Sequence, residues 1–150
     1  NVTACHKAGT CANEVFDVSP YALAVSKYLL RKDLTQNLPR KFKISFGGCN
    51  GCGLAPIHDI GLKAVVKNEV RGFQAMIGGG LGSFPHSALP LTDFIPADNL
   101  LQMCEALVAV FDKYGFASEM WNNFYEKFQR GQKIRTGWVL PSDYEKQKLD

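Results

Sequence analysis

At 150 residues and 46% hydrophobic, the chain is long enough for one domain with a proper apolar core. Its 21% charged content argues against wholesale disorder, and a net charge of +3 is too small to argue for nucleic acid, though it suits an anionic small partner. Ser, Lys or Gly interrupts every apolar run, so no membrane span is expected. No signal-peptide pattern opens the chain, which starts without Met. A cytoplasmic location is therefore expected, as is origin from a longer or processed product.

In chain order, residues 1–17 hold Cys5 and Cys11 in an irregular opening. Ser19-Pro20 predicts an N-cap followed by proline at the first helical position. Tyr21, Val25, Tyr28 and Leu29 recur at helical spacing, which predicts a helix over 20–32. Phe42, Ile44 and Phe46 alternate with Lys43 and Ser45, predicting a strand over 42–46. The stretch from Phe46 to Gly53 then breaks the strand with four glycines set around Cys49 and Cys52. So many glycines let the backbone come close to something bulky without strain. Leu62, Ala64 and Val66 alternate as a second strand, and Phe73, Ala75 and Ile77 as a third. A turn at 67–69 makes the two an antiparallel hairpin. The glycines of 78–82 end the third strand, and a proline-studded loop over 84–96 leads to a helix over 98–114. Gly115 suits the C′ position of that helix, and a further helix is expected over 117–130. The expected architecture is an α/β fold, a small mixed sheet flanked by helices, with 1–150 as a single domain.

Five cysteines, an odd count, fit a disulfide framework poorly. Cys104 shares a helical face with Leu100, Leu101, Leu107, Val108 and Phe111 and reads as a small buried hydrophobe. The other four form a C-x5-C pair and a C-x2-C pair, 38 positions apart. Such thiolates suit first an iron–sulfur cluster, with zinc or no metal as the alternatives. The run Gly78-Gly79-Gly80-Leu81-Gly82 reads as a strand-end turn or as close backbone approach to a flat cofactor, and it lacks the dinucleotide-binding order. His58-Asp59 reads as structural, His6 as exposed, and His86 carries no signal. Arg40, Lys41 and Lys43 read as a solvated strand edge or as a clamp for carboxylates or an oxyanion.

Several of these motifs together resemble the sirohaem-containing nitrite and sulfite reductases. They are Thr3-Ala4-Cys5 through Cys11, Val18-Ser19-Pro20-Tyr21-Ala22-Leu23, Lys41 to Phe46, Cys52-Gly53-Leu54-Ala55-Pro56-Ile57-His58-Asp59-Ile60-Gly61 and Gly78 to Gly82. The likeness is to the half-module that carries the 4Fe-4S cluster, and it covers about residues 1–115, with a helical extension beyond. It implies Cys5, Cys11, Cys49 and Cys52 as cluster ligands, with Cys52 also bridging to the sirohaem iron. It also implies backbone near the macrocycle at Thr3, Asn50, Gly78, Gly79 and Gly80. The implied activity is six-electron reduction of nitrite or sulfite, fed by a ferredoxin or flavoprotein donor. The C-x2-C pair is one residue shorter than the family's usual C-x3-C, and His86 stands where many relatives carry arginine. The family's complete enzyme holds two such repeats, each preceded by a ferredoxin-like half, so a missing half-module or partner subunit is expected. The alternative is a cofactor-poor structural or electron-transfer module holding a cluster only, zinc, or no metal.

Overall fold

The computed structural model describes residues 1–51, 54–82 and 85–114. The helix expected over 117–130 lies outside these. Five strands form one mixed sheet: β1 (Val2–Ala4), β2 (Ile44–Gly47), β3 (Ile60–Lys67), β4 (Val70–Ile77) and β5 (Leu89–Pro96), ordered in space as in sequence. β1, β2 and β3 are parallel, with Thr3 opposite Ser45 and Ser45 opposite Gly61. β4 and β5 complete the sheet antiparallel. This is the mixed α/β architecture that the alternation and helical periodicity predict.

Parallel neighbours need a crossover, and helices supply the first one. α1 (Ser19–Leu29) starts with Pro20 in its first turn, but Ser19 is not the N-cap expected from sequence. Val18 holds that position, and the Asp17 carboxylate, one residue before it, accepts the Ser19 N–H at 2.8 Å. The helix stops at Leu29 rather than at residue 32, because Arg31 adopts φ 67° and Thr35 Oγ1 donates to the Leu29 and Lys32 carbonyls at 2.8 Å each. A single turn, α2 (Asp33–Gln36), follows. α3 (Leu100–Tyr114) matches its expected span.

One face of the sheet carries the apolar core. Ile44, Phe46, Ile60, Leu62, Phe73, Ala75 and Ile77 project from it onto Val25 and Leu29 of α1 and Met103, Leu107 and Phe111 of α3. On the other face a 3-10 turn (Ala55–Ile57) lies directly on the strands. A Cβ at Gly61 would sit 2.2 Å from the Ala55 carbonyl oxygen, so only glycine allows that approach. The β3–β4 hairpin closes through Asn68 (φ 50°) and Glu69 (φ 64°), a two-residue turn of the hand that twisted hairpins favour.

Two strands escape the sequence reading. β1 is three residues long, too short for alternation to register. Pro90 and Pro96 make β5 read as a loop in the sequence, but β5 is the edge strand of the sheet, where prolines are tolerated. Among the described residues no helix is long and apolar enough to cross a membrane.

α1 and α3 are also held by one polar contact at their interface. Glu105 accepts from Tyr28 Oη at 2.5 Å and from Lys32 Nζ at 2.6 Å, and that ammonium stands 3.7 Å over the Tyr28 ring. Burial by itself would raise the Glu105 carboxyl, yet the Lys32 and Tyr28 hydrogen bonds and the Lys32 charge outweigh it and leave it lowered. A lowered carboxyl stabilises the fold above its unfolded pKa, about 4.3, and loses that contribution as pH falls through the folded value. Glu105→Gln is therefore expected to cost about 2 kcal/mol at neutral pH, a deficit that shrinks as pH falls below the unfolded value of about 4.3. Urea denaturation of both forms at pH 7 and pH 3.5 measures this, and an equal deficit at both values would contradict it.

Candidate functional site

The two cysteine segments leave the sheet at the same end. β1 and β2 are adjacent and parallel, with Ala4 opposite Phe46, so Cys5 and the Gly48-Cys49 loop both begin at their C-terminal ends. Cys5 extends the ladder by one bond, its N–H donating to the Phe46 carbonyl at 2.9 Å. The chain then folds back through turns in which the Ala8 and Thr10 N–H groups donate to the Cys5 and Lys7 carbonyls, each at 3.0 Å. Gly9, at φ 80°, donates its N–H to the Glu14 carboxylate at 2.9 Å.

The first loop is fastened to the second by the Val15 N–H, which donates to the Gly48 carbonyl at 2.7 Å. A Cβ at Gly48 would stand 3.2 Å from the Phe16 carbonyl and 3.3 Å from Glu14 Cβ, so glycine keeps the loops close. Phe16 anchors the return of the first loop. Its ring lies 5.4 Å from that of Tyr21 and 5.6 Å from that of Phe73, and Phe46 packs edge-on to Phe73 at 5.5 Å. The Arg71 guanidinium covers Phe16 at 5.4 Å.

Between these loops Cys11 Sγ lies 4.0 Å from Cys49 Sγ, about twice the length of a disulfide bond. Cys5, Cys11 and Cys49 are all half-buried. Cys52 lies outside the described residues, and among those described no three ligating side chains form a metal-sized group. The structure thus brings Cys11 and Cys49 together and sets Cys5 at the same end of the sheet. Thiolates on two adjoining loops are the donor chemistry that soft metal ions and iron–sulfur clusters take. Cys104 is apart from them, wholly buried in α3, and burial pushes its thiol up to about 12.

The remaining candidates spread along the sheet. Asn50 is exposed at the thiol end. Thr3 is exposed at mid-sheet, on the face away from α1 and α3, with Oγ1 donating to the Ile44 carbonyl at 3.4 Å. Gly78 to Gly80 stand at the far end: Gly78 donates to Asp59 O at 2.9 Å, whereas Gly47 pairs with Lys63. Four residues of β3 separate those levels, roughly 13 Å. Gly79 makes its close approach to the chain itself, since a Cβ there would meet the Pro56 carbonyl at 2.3 Å. Gly80 and His86 exchange backbone hydrogen bonds at 3.0 Å in each direction.

The charged and imidazole candidates fall into structural places. His58 Nδ1 donates to the Leu54 carbonyl at 2.8 Å, and Asp59 accepts the Lys43 N–H at 2.7 Å. Burial raises the Asp59 carboxyl, against the lowering effect of that Lys43 bond. Lys43 is half-buried at the start of an interior strand, which corrects the solvated-edge reading. Arg40 and Lys41 are exposed before the N-terminal end of β2, away from the thiols. His6 is exposed. One residue went unnoticed in the sequence: Ser45, whose Oγ is buried and finds no hydrogen-bond partner among the described residues. It lies beside Thr3, and alternation with Ile44 and Phe46 had marked it only as a position turned from the core.

Residues 1–127 match the family described as the nitrite and sulphite reductase 4Fe-4S domain. The chain is 34% identical over 122 residues to the assimilatory ferredoxin-dependent nitrite reductase of Haloferax mediterranei, a match covering 77% of this chain and 21% of that protein. It is 31% identical over 110 residues to a ferredoxin sulfite reductase of Mycolicibacterium paratuberculosis, covering 73% and 20% respectively. Among solved structures, the NirA protein of Mycobacterium tuberculosis superposes with a TM-score of 0.71 at 20% identity, over 89% of this chain and 28% of that one, which supports the fold. The chain spans only about a fifth of the length of these curated relatives.

Because Cys104 belongs to the core and not to the thiol end, Cys104→Ala is expected to leave bound metal unchanged while costing about 1 kcal/mol of stability. Metal analysis alongside thermal denaturation measures both, and loss of metal in this variant would break the assignment.

Proposed function

The chain belongs to the nitrite and sulphite reductase 4Fe-4S domain family, and from that premise we propose that it is the cluster-bearing module of a nitrite or sulfite reductase. Family membership implies a 4Fe-4S cluster coupled to sirohaem. The observation that carries the reading is the convergence of the Cys5–Cys11 loop and the Cys49 loop at the shared end of β1 and β2. In this proposal Cys5, Cys11, Cys49 and Cys52 would hold the cluster, with Cys52 as the ligand that would couple it to the sirohaem. When bound, the pair of cofactors supplies the electrons and the iron at which an oxyanion is reduced.

The chain's own residues would position and insulate that pair. The Val15–Gly48 hydrogen bond and the Phe16 ring fix the loop geometry, so that the thiolates are held before metal arrives. Amides of the Gly47-Gly48 and Asn50-Gly51 loop could approach cluster sulfides and tune the potential. Thr3, Ser45 and the Gly78–Gly80 backbone would help hold the sirohaem, and Ser45 Oγ has no hydrogen-bond partner among the described residues. A highly carboxylated macrocycle calls for several cations around it, and a net charge of +3 supplies few. The proposal therefore includes a further half-module or partner subunit and a ferredoxin-type donor. A cytoplasmic location belongs to it too, since thiolate centres persist in reducing compartments.

One observation favours a second reading. Thiolate sulfurs on a single tetrahedral zinc stand about 3.8 Å apart, given bonds of about 2.3 Å, which is close to the Cys11–Cys49 separation. A cube spreads its ligands over separate irons and would need this pair to open.

Anaerobic purification followed by metal, labile-sulfide and absorption measurements separates the two. About four irons and four sulfides per chain, with a broad shoulder near 400 nm, are expected for the cluster reading. One zinc without sulfide would overturn it. With a strong artificial donor, the chain alone is expected to reduce sulfite or nitrite negligibly, and robust turnover would refute the need for a further half-module.

A further inference from the structure

The separation of Cys11 and Cys49 bears on the metal-free chain as well. Their sulfurs are 4.0 Å apart, beyond the length of a disulfide bond. Closing that gap to bonding distance takes about 2 Å of combined movement. The surroundings allow it. Gly9 precedes Cys11 in a turn at φ 80°, and Gly48 and Gly51 flank Cys49. A Cβ at Gly51 would already lie 3.7 Å from Cys49 Sγ, so glycine leaves that side of the thiol open. Cys5 is held at both its N–H, by Phe46, and its carbonyl, by Ala8, and Cys11 at its carbonyl, by Glu14.

We propose that Cys11 and Cys49 form a reversible disulfide when the metal-free chain meets a small-molecule disulfide oxidant such as glutathione disulfide, and that this bond bars metal from the centre until it is reduced. The disulfide rests on the geometry alone; its effect on loading rests on the proposed thiolate centre. In the first step one cysteine thiolate attacks a sulfur of glutathione disulfide and a glutathione thiolate leaves. The second cysteine thiolate then attacks the cysteine sulfur of the mixed disulfide and expels the other glutathione. The two cysteines lose two electrons and two protons in all, and one glutathione disulfide becomes two glutathione molecules. The link would join residues 38 positions apart, spanning α1, α2 and β2, so it would also constrain the unfolded chain.

The test uses the full chain, stripped of metal, reduced, and equilibrated anaerobically in glutathione buffers from reducing to oxidising. Alkylation and non-reducing peptide mapping are expected to show Cys11–Cys49 as the dominant linkage. It should persist in Cys5→Ser and be absent from Cys11→Ser, with circular dichroism verifying that each variant is folded. A dominant Cys49–Cys52 or Cys5–Cys11 bond, a lasting glutathione adduct, or no oxidation would each overturn the proposal. Reconstitution with ferrous iron and sulfide reads the second part: oxidised chain should take up less than a tenth of the iron of reduced chain, with dithiothreitol restoring uptake. If the linkage maps as expected but reduced chain takes up no iron either, the cluster reading fails while the disulfide stands. Equal uptake by both forms would overturn the gating.

Discussion

β1 and β2 run in the same direction, paired at Val2–Ile44, Thr3–Ser45 and Ala4–Phe46, and so leave the sheet side by side. That parallel pairing brings together two cysteine segments lying 38 positions apart. An antiparallel pair would have sent Cys5 and Cys49 to opposite ends. The parallel arrangement demands a crossover, and the stretch from Phe16 to Phe42 provides it, with α1 burying Ala22, Val25 and Leu29 against the sheet. The core of the domain and the geometry of its thiols are thus consequences of one topological choice.

The aromatic cluster makes that choice rigid where it matters. Phe16 lies on the first cysteine loop, Tyr21 on α1, Phe46 on β2 and Phe73 on β4, and the rings meet at centroid distances of 5.2 to 5.6 Å. Edge-to-face contacts of this kind contribute beyond the apolar area they bury. Phe16 and Phe46 each stand only a few residues from a thiol, so the cluster transmits the order of the core directly to the loops. The Val15–Gly48 hydrogen bond completes the connection. Had these loops been tethered only by metal, the thiols would have no reason to stay together without it.

On the opposite face, backbone meets backbone. Gly61 and Gly79 admit the segment around Ala55 to His58 at distances no side chain would tolerate. This segment carries the chain from the thiol end of β2 back to the start of β3. It therefore links the two ends of the sheet at which family resemblance sets contacts to a cofactor. The same face bears Thr3 and the Ser45 hydroxyl, which has no hydrogen-bond partner among the described residues, whereas the opposite face carries the apolar core.

How much of this was legible in the sequence varies from element to element. The α3 helix, the β3–β4 hairpin and the core role of Cys104 follow from periodicity, because each repeats its apolar pattern long enough to fix a phase. Residues 2–4 are too few to do so, and the prolines of β5 imitate a loop unless the strand is known to lie at an edge. The cysteine spacing, with its glycines, marked the two segments that the sheet brings to one end. What only the tertiary structure decided is the partnership within those segments: Cys11 beside Cys49, Gly79 against Pro56, Lys43 beside Asp59. Spacing along a chain is a local property, whereas these contacts depend on strand direction and sheet order, which long-range pairing alone determines.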